Sequence, residues 1–96
     1  MAYPFTADEL LPALKTDLGI SAAVYNERLC DRLDTAMERI SAAGVTLADT
    51  TGDRDLVLMY AGWLWRCRVT QAPMGRMLQL ALNNRLFGEK AREETP

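Results

Sequence analysis

A run of ten uncharged residues occupies positions 56–65 of this chain, with charged residues on both sides. The run is longer than a typical strand and far shorter than the about 20 apolar residues that span a bilayer. As a helix it is apolar on nearly every side, so other protein surfaces have to cover it on nearly every side. A chain of 96 residues has few elements to provide that cover. The run therefore predicts a helical core and indicates self-association.

The length is that of one domain, and the formal net charge of −2 does not favour a nucleic-acid-binding surface. The charge is unevenly spread along the chain. Residues 1–55 carry ten acidic and five basic side chains, a net −5, whereas residues 56–96 carry a net +3. A subunit polarised in this way could associate head-to-tail through opposite patches. The alternative is that both charged faces are simply solvated.

Two helices are predicted before the uncharged run. Thr6 and Glu9 form a capping-box pattern that starts helix 1 at about Ala7, and the helix extends to Leu18 with Gly19 as a left-handed cap. Pro12 is expected to distort its first turn or to delay its start. Helix 2 shows apolar residues at three- and four-residue steps and ends at Gly44. Its start is assigned to either Ser21 or Asn26. The apolar positions of helix 2 are Tyr25, Leu29, Leu33, Ala36, Met37 and Ile40.

Two further helices complete a small bundle of about four helices. Thr51 or Asp53 is expected to cap helix 3, which extends to about Val69, and interior Gly62 predicts close approach of another backbone. Val45 and Leu47, in the connector before it, could plug the end of a helix pair. After a break at residues 70–73, helix 4 is expected to end at Gly88.

The domain organisation follows from these boundaries. Residues 1–87 are expected to form a single all-α domain, and residues 88–96 are expected to form a flexible, disordered tail that lacks large apolar residues. Because it has no apolar anchor, the tail is expected to contribute little to stability.

Enzymatic chemistry is not indicated. The chain has no histidine and no phosphate-binding glycine loop, and its only cysteines, Cys30 and Cys67, are too few for a structural zinc site. We therefore expect no catalysis, no cofactor and no metal. With no secretion signal recognisable, we expect a cytosolic protein with both thiols reduced and buried.

The sequence leaves two alternatives to a self-associating structural protein. In a helix-turn-helix reading, Arg76 and Arg85 of helix 4 would reach DNA, but this helix is apolar where a recognition helix is polar. A regulatory or chaperone-like protein that binds a partner helix in a groove is the stronger alternative.

The tryptophans and asparagines are candidates for an oligomer interface. Trp63 and Trp65 point about 200° apart on a helix, so we expect that they cannot share one small core and that one of them lies at an interface. Asn83 and Asn84 lie among leucines and are expected to bond the helix end or a neighbouring subunit. The predicted interface residues are Trp63, Trp65, Leu80, Asn83, Asn84 and Phe87.

Four segments together resemble the small head–tail connector, or adaptor, proteins of tailed bacteriophages and prophages. They are Leu14-Lys-Thr-Asp-Leu-Gly-Ile20; the helix of Tyr25, Leu29, Leu33, Ala36 and Ile40 ending at Gly44; Leu56-Val-Leu-Met-Tyr-Ala-x-Trp-Leu-Trp-Arg66; and Pro73-Met-x-Arg-Met-Leu-x-x-Ala-Leu-Asn-Asn-Arg85. The order and spacing of the segments, over most of residues 8–87, carry the resemblance.

The resemblance implies an all-α protein of the virion neck, present in the bacterial host cytoplasm during assembly. It implies a homo-oligomeric ring of about twelve subunits beneath the portal protein, closed by head-to-tail contacts. The ring would extend the DNA channel and dock a head-closure or tail protein. DNA would pass through without specific binding, and no membrane, cofactor or catalysis is implied. Because this chain is short, we expect it to lack any longer C-terminal docking segment found in relatives.

Overall fold

The computed structural model describes residues 3–68 and 73–94, the last five of these for the backbone only. The described residues form four α-helices: α1 (Ala7–Leu18), α2 (Asn26–Ala42), α3 (Thr51–Arg66) and α4 (Arg76–Glu94). A 3-10 turn, Ala23–Tyr25, leads into α2. The described residues form no strand. The prediction of a small all-α bundle is confirmed.

Helix α1 has the predicted ends. The Thr6 hydroxyl accepts a hydrogen bond from the Glu9 amide, and Gly19 closes the helix in the left-handed region at a φ of 69°. Pro12 lies inside the helix without ending it or delaying its start. Leu10 and Leu14 lie on the buried side.

Helix α2 is amphipathic, as its spacing predicts. It begins at Asn26, the later of the two predicted starts, because the chain after Ser21 first forms the 3-10 turn. Gly44 follows its end with a φ of 114°, which only glycine adopts readily. The predicted apolar side is buried at Leu29, Leu33, Ala36, Met37 and Ile40, whereas Tyr25 is exposed.

Helix α3 is the central helix of the bundle and packs against α1, α2 and α4. Its cap is Thr50, whose hydroxyl accepts from the Asp53 amide, so the prediction of Thr51 or Asp53 is wrong by one or more residues. The helix ends at Arg66, short of the predicted Val69, which lies outside the described residues. The uncharged run is covered largely by the subunit's own helices: Leu56, Val57, Tyr60, Ala61, Leu64 and Trp65 are buried.

Gly62 does not meet the backbone of another element. The atoms nearest to a Cβ built on it belong to side chains, Arg66 Nη1 at 3.8 Å and Leu18 Cδ2 at 3.9 Å. Both distances are ordinary van der Waals contacts. The prediction of a close backbone approach is therefore wrong within the subunit.

Helix α4 packs mainly against α3. It does not end at Gly88, as the sequence predicts, but continues to Glu94. Gly88 does not have the positive φ of a left-handed cap, and the helix continues through it. Residues 70–72 of the predicted break, residues 95–96 and the side chains of residues 90–94 lie outside the described part, and the flexibility of the tail stays a prediction.

Candidate interaction surface

Helix α4 is fixed to the rest of the subunit by an ion pair between helices. The Arg85 guanidinium donates to both carboxylate oxygens of Asp53 at the start of α3, through Nε at 2.8 Å and Nη2 at 3.3 Å. Nη2 also donates to the carbonyl of Thr46 at 2.8 Å. Asp53 is nearly fully buried and accepts a further hydrogen bond from the Ala48 amide at 2.8 Å. The carboxylate thus joins the connector, α3 and α4.

Glu89 extends this cluster along α4. Its carboxylate accepts from Arg85 Nη1 at 3.1 Å and from the Thr46 amide at 3.0 Å. The hydrogen bond from Thr46, together with that from Arg85, lowers the pKa of Glu89 to about 2. The hydrogen bond with Asp53 is the main cause of the raised pKa of Arg85. We call Asp53, Arg85 and Glu89 the ionic clamp.

The ionic clamp was not predicted. Arg85 lies on the same side of α4 as Leu78 and Leu82, where an isolated charge would be costly, and that position is the signal that it needs a partner. The clamp also removes Arg85 from the set of side chains available to DNA. The prediction that the tail contributes little to stability rests on its lack of apolar residues and does not account for Glu89, which is buried although it is polar.

The opposite side of α4 carries an exposed apolar stripe. Met77, Leu80, Asn84 and Phe87 follow one another at steps of three, four and three residues, which places them on one face of the helix. Met77 is 73 %, Leu80 46 % and Phe87 72 % exposed, and Asn84 is exposed among them. We call these four residues the α4 stripe. Large apolar side chains aligned on a surface helix are typical of an interaction site.

The structure brings four of the six predicted interface residues together. Leu80, Asn84 and Phe87 belong to the α4 stripe, and Asn83 is exposed on the adjacent side of the helix. Neither asparagine side chain forms a hydrogen bond within the described residues. Their predicted role in contacts between subunits therefore stays a prediction.

The two tryptophans lie apart from the α4 stripe. Trp65 is buried in the core, where its ring is in edge contact with Tyr25 at 5.8 Å between centroids. Trp63 is half-buried against the same core, in edge contact with Tyr60 at 5.5 Å, and its Nε1 donates to the Pro73 carbonyl at 3.3 Å. The expectation that they cannot share one core is wrong, because one small bundle packs around both sides of α3.

A groove lies beside the start of the α4 stripe, between α1, α3 and α4. It has a volume of about 570 Å³, and its wall includes Leu18, Met59, Trp63 and Met77. Gly62 lies in the same wall and lacks a side chain that would fill the space. The groove is a second surface that could accept another protein; Asp17, Asp55 and Arg66 line it beside the apolar side chains.

The cysteine, aspartate and glutamate side chains of the described part of the chain form no group that could hold a metal ion. Cys30 and Cys67 form no disulfide and are half-buried, not buried as predicted. Burial, followed by the hydrogen bond to Asp8, raises the pKa of the Cys30 thiol. A raised pKa disfavours the reactive thiolate.

Comparison of the chain with protein families, with characterised proteins and with solved structures finds no match. Within residues 3–68 and 73–94, no helix is long and apolar enough to cross a membrane. The function is therefore inferred from the surface chemistry and from the sequence resemblance.

Proposed function

We propose that this protein is a structural subunit of a bacteriophage head–tail connector ring. The α4 stripe is the observation that carries the proposal, since it leaves Met77, Leu80 and Phe87 largely exposed on a helix held in place by the ionic clamp. In the ring, the stripe of one subunit packs against the neighbouring subunit. The assembled ring lies beneath the portal protein, extends the DNA channel and docks a head-closure or tail protein.

The size of the apolar surface fits a contact that is used many times. Complete burial of such a side chain contributes about 1.5–3 kcal/mol, so burial of the exposed parts of three contributes about 4 kcal/mol. Association also costs translational and rotational freedom, so that a single contact of this kind is weak. In a closed ring each subunit has two neighbours, and binding to the portal adds further contacts. The α4 stripe therefore suits assembly on a platform better than a stable isolated pair.

The charge of the chain suits a channel for DNA. A net charge of −2 disfavours tight binding of the phosphate backbone, and Arg85 is held in the ionic clamp. DNA would thus move through the ring without specific contacts. The proposal requires no catalysis.

A second candidate function is supported by the groove between α1, α3 and α4. Its methionines, Met59 and Met77, are adaptable side chains of the kind found where one protein accepts a helix of another. In this alternative the protein is a small regulator or chaperone that binds a single partner.

Electron microscopy with mass determination distinguishes the two functions. The purified chain is examined alone and mixed with the portal protein encoded in the same genome. The connector proposal predicts rings, formed alone or only on the portal. A stable dimer, or a complex with one copy of a partner and no binding to the portal, would support the regulator instead.

A further inference from the structure

Helix α2 separates its charges into two stripes. Acidic residues follow one side at steps of four, three and four, and basic residues follow another side, about 110° away around the helix. The acidic side chains are Glu27, Asp31, Asp34 and Glu38, and the basic ones are Arg28, Arg32 and Arg39. All except Arg32 are exposed, and none forms a salt bridge within the described residues.

The acidic side of α2 continues onto α1. Asp8 lies close to Asp34, because both are near Cys30, and Glu38 lies one turn beyond. Burial, with repulsion from Asp31, Glu38 and Asp8, raises the pKa of Asp34. We call Asp8, Asp34 and Glu38 the acidic patch. Repulsion among them would be relieved by a cation that the described residues do not supply.

The basic side of α2 borders a cleft of about 390 Å³. Arg28, Arg32 and Arg68 line it together with Asp31 and Trp65, and the Arg68 guanidinium lies 3.8 Å from the centroid of the Trp65 ring. The Nε of Arg32 is buried and has no hydrogen-bond partner in the described part of the chain. A buried donor without an acceptor is costly. We call this surface the arginine cleft; Arg28, Arg32 and Arg68 form no salt bridge within the described residues, so the cleft presents positive charge without a counterion.

A carboxylate fits the arginine cleft better than a phosphate backbone. Asp31 lies in the wall of the cleft, and the chain has a net negative charge, so a polyanion would be repelled. A short carboxylate side chain on another helix can enter between the arginines. The acidic patch of a second copy provides such side chains.

We propose that the acidic patch of one subunit docks in the arginine cleft of the next, head to tail. The two surfaces face different directions on one helix, so each subunit can give a carboxylate to one neighbour and accept one from the other. Contacts of this heterologous type form a ring when the rotation between neighbouring subunits closes. The charges select the direction of the contact, while the α4 stripe adds apolar area. The inference deepens the proposed connector function and rests on it.

A charge-exchange experiment tests the docking. One variant carries Asp34→Lys and Glu38→Lys; the other carries Arg28→Glu and Arg68→Glu, which spares the half-buried Arg32. Circular dichroism checks that both are helical, and sedimentation velocity follows association at about 0.05 M and about 0.5 M salt, where screening differs strongly. The wild type should associate more strongly at low salt. Each variant alone should associate about tenfold more weakly, and their equimolar mixture should recover association.

The control replaces two exposed acids outside the acidic patch, Asp17→Lys and Asp49→Lys, for the same change of net charge as the Asp34→Lys and Glu38→Lys variant. It should behave like the wild type. A mixture that fails to recover association would overturn the docking, as would a wild type that stays monomeric up to about 1 mM. A wild type that forms only two-fold dimers would also overturn it.

A DNA duplex is the remaining probe. Binding that is lost in the arginine variant, without any change in self-association, would assign the cleft to phosphate and overturn the docking of a second copy. The exchange experiment measures contact between copies in the absence of a portal. If the mixture of variants recovers association but the wild type does not bind the portal protein, the connector function is refuted and the docking between copies stands.

Discussion

Replacing Arg85 with methionine tests whether the ionic clamp holds α4 in place. Methionine retains an unbranched stem but removes the guanidinium, so Asp53 loses its two hydrogen bonds from Arg85 and its only ion pair in the described part of the chain. The Asp53 side chain is only 5 % exposed. The carboxylate would then be a buried charge without a counterion.

The expected cost follows from this burial. Removing one partner of a buried ion pair costs about 3–5 kcal/mol. We expect the lower end, about 3 kcal/mol, because the Arg85 side chain is 20 % exposed and Asp53 keeps its bond from the Ala48 amide. A domain of this size has a free energy of unfolding of about 5–14 kcal/mol. The variant should therefore melt roughly 12–24 °C below the wild type.

The chain offers a matched control in Arg54→Met. Arg54 also pairs with an aspartate, Asp49, at 2.6 Å, but the two side chains are 44 % and 59 % exposed. An exposed pair contributes less than about 1 kcal/mol. Urea unfolding of both variants gives the comparison, and equal costs would refute the assignment of Arg85 as the residue that anchors α4.

A second substitution distinguishes the cost in stability of the unpaired Asp53 charge from the cost of lost packing. Asp53→Asn in the Arg85→Met background removes the unpaired charge and leaves an acceptor for the Ala48 amide. We expect it to recover about 1 kcal/mol of the loss. A double variant less stable than Arg85→Met would show that the cost comes from packing instead.

Four further outcomes are expected. Gly62→Ala should raise the free energy of unfolding, measured in urea, by up to about 1 kcal/mol, because alanine favours the helix and its Cβ meets only side chains at ordinary contact distances. A lower free energy of unfolding would show that these side chains cannot move to accommodate the methyl group. Glu89→Gln should reduce the loss of stability in acid. Because the pKa of Glu89 is lowered, its ionised carboxylate contributes fully above about pH 4.5, and this contribution is lost as the pH falls toward 2. An unchanged acid-unfolding profile would contradict the assignment of Glu89 to the ionic clamp. A chain ending at residue 88 should melt below one ending at residue 90, because only the longer one keeps Glu89, and equal melting temperatures would speak against this anchor. Cys30 should react more slowly with iodoacetamide near pH 8 than a small-molecule thiol does, and equal rates would show that burial and Asp8 do not suppress its thiolate.

The helices of this protein are largely predictable from local chemistry. The Thr6 and Glu9 cap, Gly19 and the apolar spacing of α2 act within a few residues of each helix. The prediction that Gly88 ends α4 is wrong because a glycine ends a helix only where the chain adopts left-handed geometry, and Gly88 does not. The helix continues through Gly88, and Glu89 contacts Arg85 and Thr46 from within it.

The tertiary role of polar residues is what the sequence does not reveal. Asp53 and Arg85 lie 32 positions apart, and no periodicity connects them. The cover of α3 is also a property of the whole bundle, since helices on several sides bury both faces of its uncharged run. The surplus apolar surface consequently lies mainly on α4. Leu80 and Phe87 were predicted as interface residues, and their exposure is consistent with that role.

Sedimentation velocity of a Leu80→Glu and Phe87→Glu double variant is the most direct test of assembly through the α4 stripe. Both side chains are exposed, so the subunit should stay folded, and Val24→Glu is the control because Val24 is 78 % exposed outside the stripe. The account predicts ring-sized particles, alone or with the portal protein, for the wild type and for Val24→Glu, and folded monomers for the double variant. Rings formed equally well by the double variant would contradict it.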